Sequence, residues 1–374
     1  MIPHQLNVID TIAIESVDHL AEVVAAASAT NQALLPIGGG TCLATGCITE
    51  TPYLALDLSE LSGIDDYIPT DMTASFQAGT SLKQVRTALA ANGQELPIDL
   101  AEDDAGTIGG LVATGFSGPR RLAQGTLKDL IIGCEYVRGD GLLAKAGGMT
   151  VKNVSGFEIS RLLHGSWGSL AILTRVNLKL LPQPRGDRTI TWTDENLSAA
   201  IARQQTLLQA LPMAVAVQSV RTAMGIATSI RFMGREAAIA DYLARATALV
   251  GDPSGDSADW VLPRANEAQP LIVCTAHLNE LVTNATMLEQ MAGIGEIRVS
   301  LGTGTLWATI DPAQLDMAMV SAAVTGLWTI EGGPATWKAG LNVWGPDRGD
   351  GKVAQSIKQQ FDPVGVLNRG RLFV

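Results

Sequence analysis

The chain has little that would tie it to a charged polymer, a membrane or a redox framework. Its 374 residues carry 26 lysines and arginines against 37 aspartates and glutamates, a net charge of −11. No stretch gathers five basic residues, which argues against a nucleic-acid stripe and a polybasic lipid anchor. No uncharged apolar run approaches the roughly 18 residues needed to span a bilayer. Met1 to Asp10 has neither a basic start nor an apolar centre, so no secretory signal is expected. Cysteine is scarce. Cys42, Cys47, Cys134 and Cys274 form one C-x4-C pair but no zinc or disulfide pattern, and reduced thiols in the cytoplasm are expected. The four histidines (His4, His19, His164 and His277) stand in no His-x-His or His-x-x-x-His spacing, so no local metal site is expected.

Glycine, by contrast, is abundant and unevenly spread. Of 39 glycines, 14 fall between Gly106 and Gly168, roughly three times the usual density of about 7%. There is no Gly-X-Y period, and apolar runs interleave with the glycines, so this window is neither collagen nor linker. Glycines crowded into a folded region mean backbone that turns sharply or approaches something closely. The composition is globular, with 47% hydrophobic and 17% charged residues, and the length suggests two domains.

The first half alternates short strands and helices. Ser16 is positioned to cap a helix over Val17 to Thr30, whose Leu20, Val23, Val24 and Ala27 follow the helical period. Strands are expected at Ala33 to Ile37, Tyr53 to Leu58, Thr73 to Gln77 and Leu170 to Leu181. Thr80 is expected to cap a helix from Ser81 to Asn92 that Gly93 ends. Leu130 to Arg138 and Leu142 to Ala146 suggest a hairpin around Gly139-Asp140-Gly141. Pro182 to Gly186 punctuates the chain. Beyond it, helices near Glu195 to Ala210, Arg235 to Val250, Asn279 to Met291 and Pro312 to Ala323 alternate with strands near Ala214 to Arg221, Gly225 to Phe232, Leu271 to Ala276, Glu296 to Leu301, Thr305 to Ile310 and Gly326 to Glu331. That texture suggests an α+β unit on an antiparallel sheet. A last helix is expected over Lys352 to Phe361.

Three stretches point to chemistry. Pro36-Ile37-Gly38-Gly39-Gly40-Thr41 ends a strand in a glycine turn whose N–H groups suit anionic oxygens; it is equally a common turn. It is neither a P-loop nor a G-x-G-x-x-G helix start. Ala105 to Gly115, followed by Ser117-Gly118-Pro119-Arg120-Arg121, offers small residues against which a flat ligand can lie. The third stretch runs from Val151 through Lys152-Asn153-Val154-Ser155-Gly156-Phe157 to Gly165-Ser166-Trp167-Gly168-Ser169-Leu170-Ala171-Ile172.

In this order, with the ending Phe361-Asp362-Pro363 through Asn368-Arg369-Gly370-Arg371-Leu372, these stretches resemble the FAD-binding domain of the vanillyl-alcohol-oxidase/PCMH flavoproteins. Within them, the chain is most similar to the E-type subunits of bacterial glycolate oxidase. The resemblance covers about residues 15 to 185 and the last 20 or so. It implies a two-lobed FAD-binding domain (1–186, completed by 351–374) and an α+β cap domain (187–350). It also implies that Pro36, Ile37, Gly38, Gly39, Gly40 and Thr41 hold the pyrophosphate of a non-covalent FAD. Gly79, Thr80, Gly106, Thr107, Gly109, Gly110 and Gly115 would then line the flavin and ribityl chain. Gly165, Gly168 and Ile172 would pack around the adenosine half, and Asn368 would return the tail to the cofactor. Cys42 is expected to point into the core. The chain departs from the family pattern at Arg369, where a proline is usual, and at Ala171, where a glycine is usual.

The implied partners are a D-type flavoprotein subunit and an F-type iron–sulfur subunit acting on a small 2-hydroxy acid. A cytoplasmic location is implied, with membrane association through the complex left open. Oxidising a 2-hydroxy acid needs a base, a cation for the carboxylate and a hydride acceptor. His277 is a candidate base, or else a cap or core residue. Arg120 and Arg121 are candidates for stabilising reduced flavin, or else surface or subunit contacts. Arg231 and Arg298 are candidate carboxylate clamps, or else parts of a solvated strand face. Trp307, Trp337 and Trp344 are expected in a core or an interface. The absent histidine motifs favour a subunit that relays electrons. The alternatives are a self-sufficient dehydrogenase and a flavin-free scaffold.

Overall fold

A computed structural model describes residues 3, 6–149, 157–315 and 317–372. The stretch 150–156, which contains most of the Lys152-to-Phe157 motif, lies outside the described residues.

Four sheets organise the chain. The first is parallel, in the order β1 (Val8–Ala13), β3 (Tyr53–Asp57), β2 (Ala33–Ile37). Helix α1 (Val17–Thr30) buries Leu20, Val24 and Ala27 on this lobe, and Ser16 caps it by accepting from His19 N at 3.1 Å. The second sheet is antiparallel and contains β4 (Ile64–Ile68), β5 (Thr73–Gln77), β7 (Ile131–Arg138), β8 (Leu143–Gly147) and β9 (Ala171–Lys179), in the order β4-β5-β9-β7-β8. The two-residue strands β6 (Gln94–Glu95) and β10 (Leu181–Pro182) pair beside it. Helices α2 (Leu82–Ala90) and α3 (Ile108–Thr114) pack onto this second lobe, around Phe76, Leu82, Ile108 and Val176. The capping residue of α2 is Ser81, not Thr80, because only the Ser81 hydroxyl reaches the exposed Gln84 N–H, at 3.2 Å.

After Pro182, seven strands form one antiparallel sheet: β11 (Gly186–Asp194), β12 (Ala216–Thr222), β13 (Gly225–Gly234), β14 (Leu271–Thr275), β15 (Ile294–Ser300), β16 (Thr305–Ile310) and β17 (Leu327–Glu331). Their order is β11-β13-β12-β15-β16-β14-β17. The helices Leu197–Ala210, Glu236–Val250 and Leu278–Glu289 cover it. The architecture is α+β, with two lobes and an antiparallel cap sheet. Three strands that sequence periodicity missed (β1, β4 and β11) are all edge strands. β1 and β4 carry charged and exposed residues that blunt further pairing and break the apolar alternation. β11, by contrast, keeps Ile190 and Trp192 buried between threonines and was legible but overlooked.

The C-terminal motif closes the first lobe. Leu367 bridges Leu34 in parallel, and Leu34 N donates to Val366 O at 2.8 Å, so the tail adds a short strand beside β2. Buried Asp362 organises the turn by accepting from Val366 N, Leu367 N and Lys358 Nζ. Gly139 lies against it: a Cβ there would stand 2.2 Å from Asp362 Oδ1. The Gly139 turn, ordinary by sequence, is therefore a contact with the tail. Arg369 uses the place of the usual proline to reach Asn31 Oδ1 at 2.6 Å.

Candidate functional site

A cleft partly open to solvent runs between the two lobes and is closed on one side by Arg264 and Trp344 of the cap loops and by the tail. The two glycine clusters meet along it. A Cβ at Gly39 would stand 1.8 Å from Ala105 O, and one at Gly38 would stand 2.4 Å from Thr107 Oγ1. Only a chain without side chains at both positions lets the turn after β2 lie on the start of α3. Among the described residues, the N–H groups of Gly39, Gly40, Thr41 and Cys42 find no acceptor. Gly39 is exposed and Gly40, Thr41 and Cys42 are half-buried, and a row of such free N–H groups at a turn suits an anion.

Helix α3 is held in place by backbone. Ile108 N donates to Thr80 O at 2.9 Å, Gly109 N donates to Ala78 O at 2.8 Å, and Thr107 caps the helix by accepting from Gly110 N at 3.2 Å. On the opposite wall, Trp167 has a φ of 55°, an uncommon conformation for a large side chain. It is held there from both sides. Its N–H donates to Ala113 O at 2.7 Å, and its carbonyl accepts from Asn368 Nδ2 at 2.9 Å. Its ring meets Trp344 edge-on, with centroids 5.1 Å apart. Trp344 thus belongs to the interface between cap and cofactor lobe.

At one end Arg264, from the loop before β14, grips Asp104 through two bonds of 2.8 and 3.1 Å and approaches Cys42 Sγ at 3.3 Å. Its guanidinium lies 5.0 Å from the Phe116 ring centre. Burial pushes the Cys42 thiol up, opposed by Arg264. Burial also works to raise Asp104, but the Arg264 hydrogen bonds outweigh it and hold the carboxyl below its ordinary range. Cys42 lines the cleft beside the Arg264 guanidinium and belongs to none of the apolar clusters, so it does not point into the core.

Of the residues singled out by sequence, Pro36, Ile37, Gly38, Gly39, Gly40, Thr41, Gly106, Thr107, Gly109, Gly110, Gly168, Ile172 and Asn368 lie on the wall. Gly79, Thr80, Gly115 and Gly165 do not, and they serve the chain itself. A Cβ at Gly79 would stand 2.1 Å from Leu58 O, and one at Gly115 would stand 3.0 Å from Gly165 Cα. The Thr80 hydroxyl donates to Gln77 O and Gly63 O.

The candidate catalytic cations and base lie elsewhere. Arg120 is buried on Asp99 at 2.7 Å and Glu95 at 3.0 Å. Arg121 donates to Thr303 O at 2.9 Å, joining the second lobe to the cap. His277 is exposed at the start of the helix Leu278–Glu289. Arg231 is half-buried and pairs with exposed Asp187 on the strand face, and Arg298 is buried on Asp259 and Glu296, so neither stands in the cleft. Sequence reasoning missed Trp167, Arg264 and Arg371 on the wall. Trp167 stood in the third stretch and Arg371 in the tail motif, so both had a readable signal, and Arg264 had none.

A family profile described as "FAD binding domain" matches residues 11–156. The glycolate oxidase subunit GlcE of Escherichia coli is 30% identical over 325 residues, covering 85% of this chain and 87% of that one. A D-lactate dehydrogenase of Archaeoglobus fulgidus is 34% identical over 173 residues, 45% of this chain but only 38% of its own length. Among solved structures, a xylooligosaccharide oxidase from Myceliophthora thermophila superposes with a TM-score of 0.73 at 15% identity, covering 98% of this chain and 93% of that one. An alkyldihydroxyacetonephosphate synthase gives 0.69 at 16%, covering 97% and 77%. At such identities the likeness concerns fold alone.

The cleft suits FAD on its own terms. The unsatisfied N–H row fits a diphosphate, and α3 presents Gly110, which has no side chain, to a flat ring. With a relative aligned along most of both chains, and a cleft built from the glycine turns of its motifs, the chain belongs to the GlcE family of FAD-dependent oxidoreductase subunits.

Proposed function

We propose that the protein is the FAD-binding subunit of a complex that oxidises glycolate or a similar small 2-hydroxy acid, and that it relays electrons toward an iron–sulfur subunit without oxidising the substrate first. Its partners are then a larger D-type flavoprotein and an F-type iron–sulfur protein, in the cytoplasm. No helix among the described residues is long and apolar enough to cross a membrane. Residues 1–186 with 351–374 form the cofactor unit, and 187–350 form the cap. The turn Gly38 to Thr41 receives the pyrophosphate, Thr107 to Gly110 with Gly106 line the flavin side, and Gly168, Ile172 and Asn368 close the adenosine side. When bound, FAD supplies a two-electron acceptor that can pass electrons on one at a time.

One observation carries the relay reading. Among the described residues, the cleft wall holds no imidazole and no carboxylate, so no side chain on it is placed to take a hydroxyl proton. Its titratable groups are Cys42, Arg264 and Arg371. A second reading, direct oxidation by this subunit, is favoured by half-buried Glu331 at the end of β17. Burial pushes its carboxyl up, and it is near enough to Arg264 and Cys42 to perturb both. Anaerobic mixing of the flavin-loaded subunit with glycolate or D-lactate separates the two. The relay reading expects the flavin absorbance to hold until the partner flavoprotein is added. Bleaching by substrate alone would establish the second reading instead.

A further inference from the structure

The segment 43–46, directly after the glycine turn, is held by an arrangement the cofactor fold does not by itself require. Its four successive carbonyls are taken alternately by two buried cations. Arg371 Nη2 donates to Leu43 O at 2.7 Å and to Thr45 O. Lys338 Nζ donates to Ala44 O at 2.5 Å and to Gly46 O at 3.3 Å. Lys338 comes from the cap (helix Ala335–Lys338) and Arg371 from the tail, so the segment joins three parts of the chain. Gly46, at a φ of 116°, makes the arrangement possible, since a Cβ there would stand 3.3 Å from the Arg371 guanidinium.

Among the described residues, neither cation lies within ion-pair distance of a carboxylate. Lys338 is 1% exposed and Arg371 7%. In a chain with 37 acidic residues this is a costly choice, because an unpaired buried charge is paid for in lost hydration. Carbonyl dipoles offset part of that cost, while a true counter-ion would offset more. Thr45, Gly46 and Arg371 stand on the cleft wall beside Gly38 to Thr41, where the free N–H row already suits an anion.

We propose that Lys338 and Arg371 are positioning residues of an anion site. They shape the 43–46 segment through its carbonyls, and their uncompensated charge is met by the diphosphate bound at the adjoining glycine turn. This rests on placing the FAD pyrophosphate at Gly38 to Thr41. The groups facing Lys338 are Arg371, Cys47 and Glu267; burial and the like charge of Arg371 lower it to about 8, and the other two oppose this. A neutral amine still donates to both carbonyls, so the segment keeps its shape above that pH while the field weakens. A bound dianion favours the charged amine, and binding near pH 8 must then take up protons.

The test is FAD binding to the apoprotein, followed by calorimetry in two buffers of different ionisation heat. Between about pH 7 and 9.5 the wild type is expected to take up a fraction of a proton per FAD, and Lys338→Met to take up essentially none. Lys338→Met is expected to weaken FAD at least tenfold at pH 7, with the difference from wild type narrowing by pH 9.5. No proton uptake by the wild type overturns the proposal even if the variant misfolds. Equal weakening at every pH also overturns it, because that marks a purely structural clamp. Gly40→Val serves as the control for placement. If it binds FAD like wild type, the pyrophosphate is not at the turn and the site reading itself fails. If it loses FAD while Lys338→Met does not, only the role of the cations is refuted.

Discussion

Replacing single glycines by alanine separates the two reasons for the glycine excess. At Gly39 the new methyl would stand 1.8 Å from Ala105 O, 2.7 Å from Ala105 C and 2.9 Å from Gly106 Cα. All three are backbone, so no rotamer change relieves the overlap and the two loops must part. Overpacking of this kind costs about 1–3 kcal/mol, and more when backbone is the obstacle, so about 3 kcal/mol is expected. At roughly 2 °C per kcal/mol for a chain of this size, Gly39→Ala should melt some 6 °C below wild type as apoprotein. At Gly110, within α3, the nearest atom is Thr107 Oγ1 at 3.1 Å, the capping oxygen, and the other side is cleft. Alanine there gains helix propensity of about 0.8–1 kcal/mol, offset by a small shift of that cap, so the apoprotein should melt close to wild type. Its methyl would occupy the wall where the ligand lies, and FAD affinity should fall at least tenfold. The assay is a melt of each apoprotein with a fluorimetric FAD titration. If Gly39→Ala melts with wild type, the chain-to-chain account of that glycine is wrong. Undiminished FAD affinity in Gly110→Ala would show that α3 does not face the cofactor.

Two further predictions follow from the ion pairs. Arg120→Met leaves Asp99 buried without its cation and should destabilise by about 3–5 kcal/mol without altering the absorbance bands of any flavin it retains. A shifted flavin spectrum in a fully folded variant would return Arg120 to the site. Asp104→Asn should cost about 3 kcal/mol at pH 7, because Arg264 loses its charged partner. Asp104 is held below its usual range, so its contribution is full above about pH 4, the unfolded value, and is lost as pH falls through the lower folded one. The gap between wild type and Asp104→Asn in urea midpoints should therefore close toward pH 3, and a gap independent of pH would refute the ion-pair account.

The buried elements could be read from the sequence because their residues obey one period each. Helix α1 was found with its Ser16 cap, and so were β2, β5 and the antiparallel core of the cap sheet. The edge strands β1 and β4 could not, because their charged, exposed residues carry no apolar alternation; β11 does alternate at Ile190 and Trp192 and was overlooked. The same division runs through the candidate site. Backbone-formed parts leave a trace in sequence, since only glycine permits Gly38 and Gly39 to lie against Ala105 to Thr107. Side-chain parts leave less. Arg264 looks like any other arginine, Arg371 shows only through its place in the tail motif, and Arg120, which follows the glycine motif directly, proves to be held by Asp99.

By itself, then, the sequence determined that a glycine-built cofactor fold exists, where its backbone turns lie, and which family it belongs to, because those depend on residues near one another in the chain. Only the tertiary structure decided which glycines line the cleft and which pack against the protein. It also decided which arginines line the cleft, and that Lys338 and Arg371 hold alternate carbonyls of one four-residue segment from 292 to 328 residues away. Burial and pairing of charge are set by what folding brings together, and no local pattern encodes that.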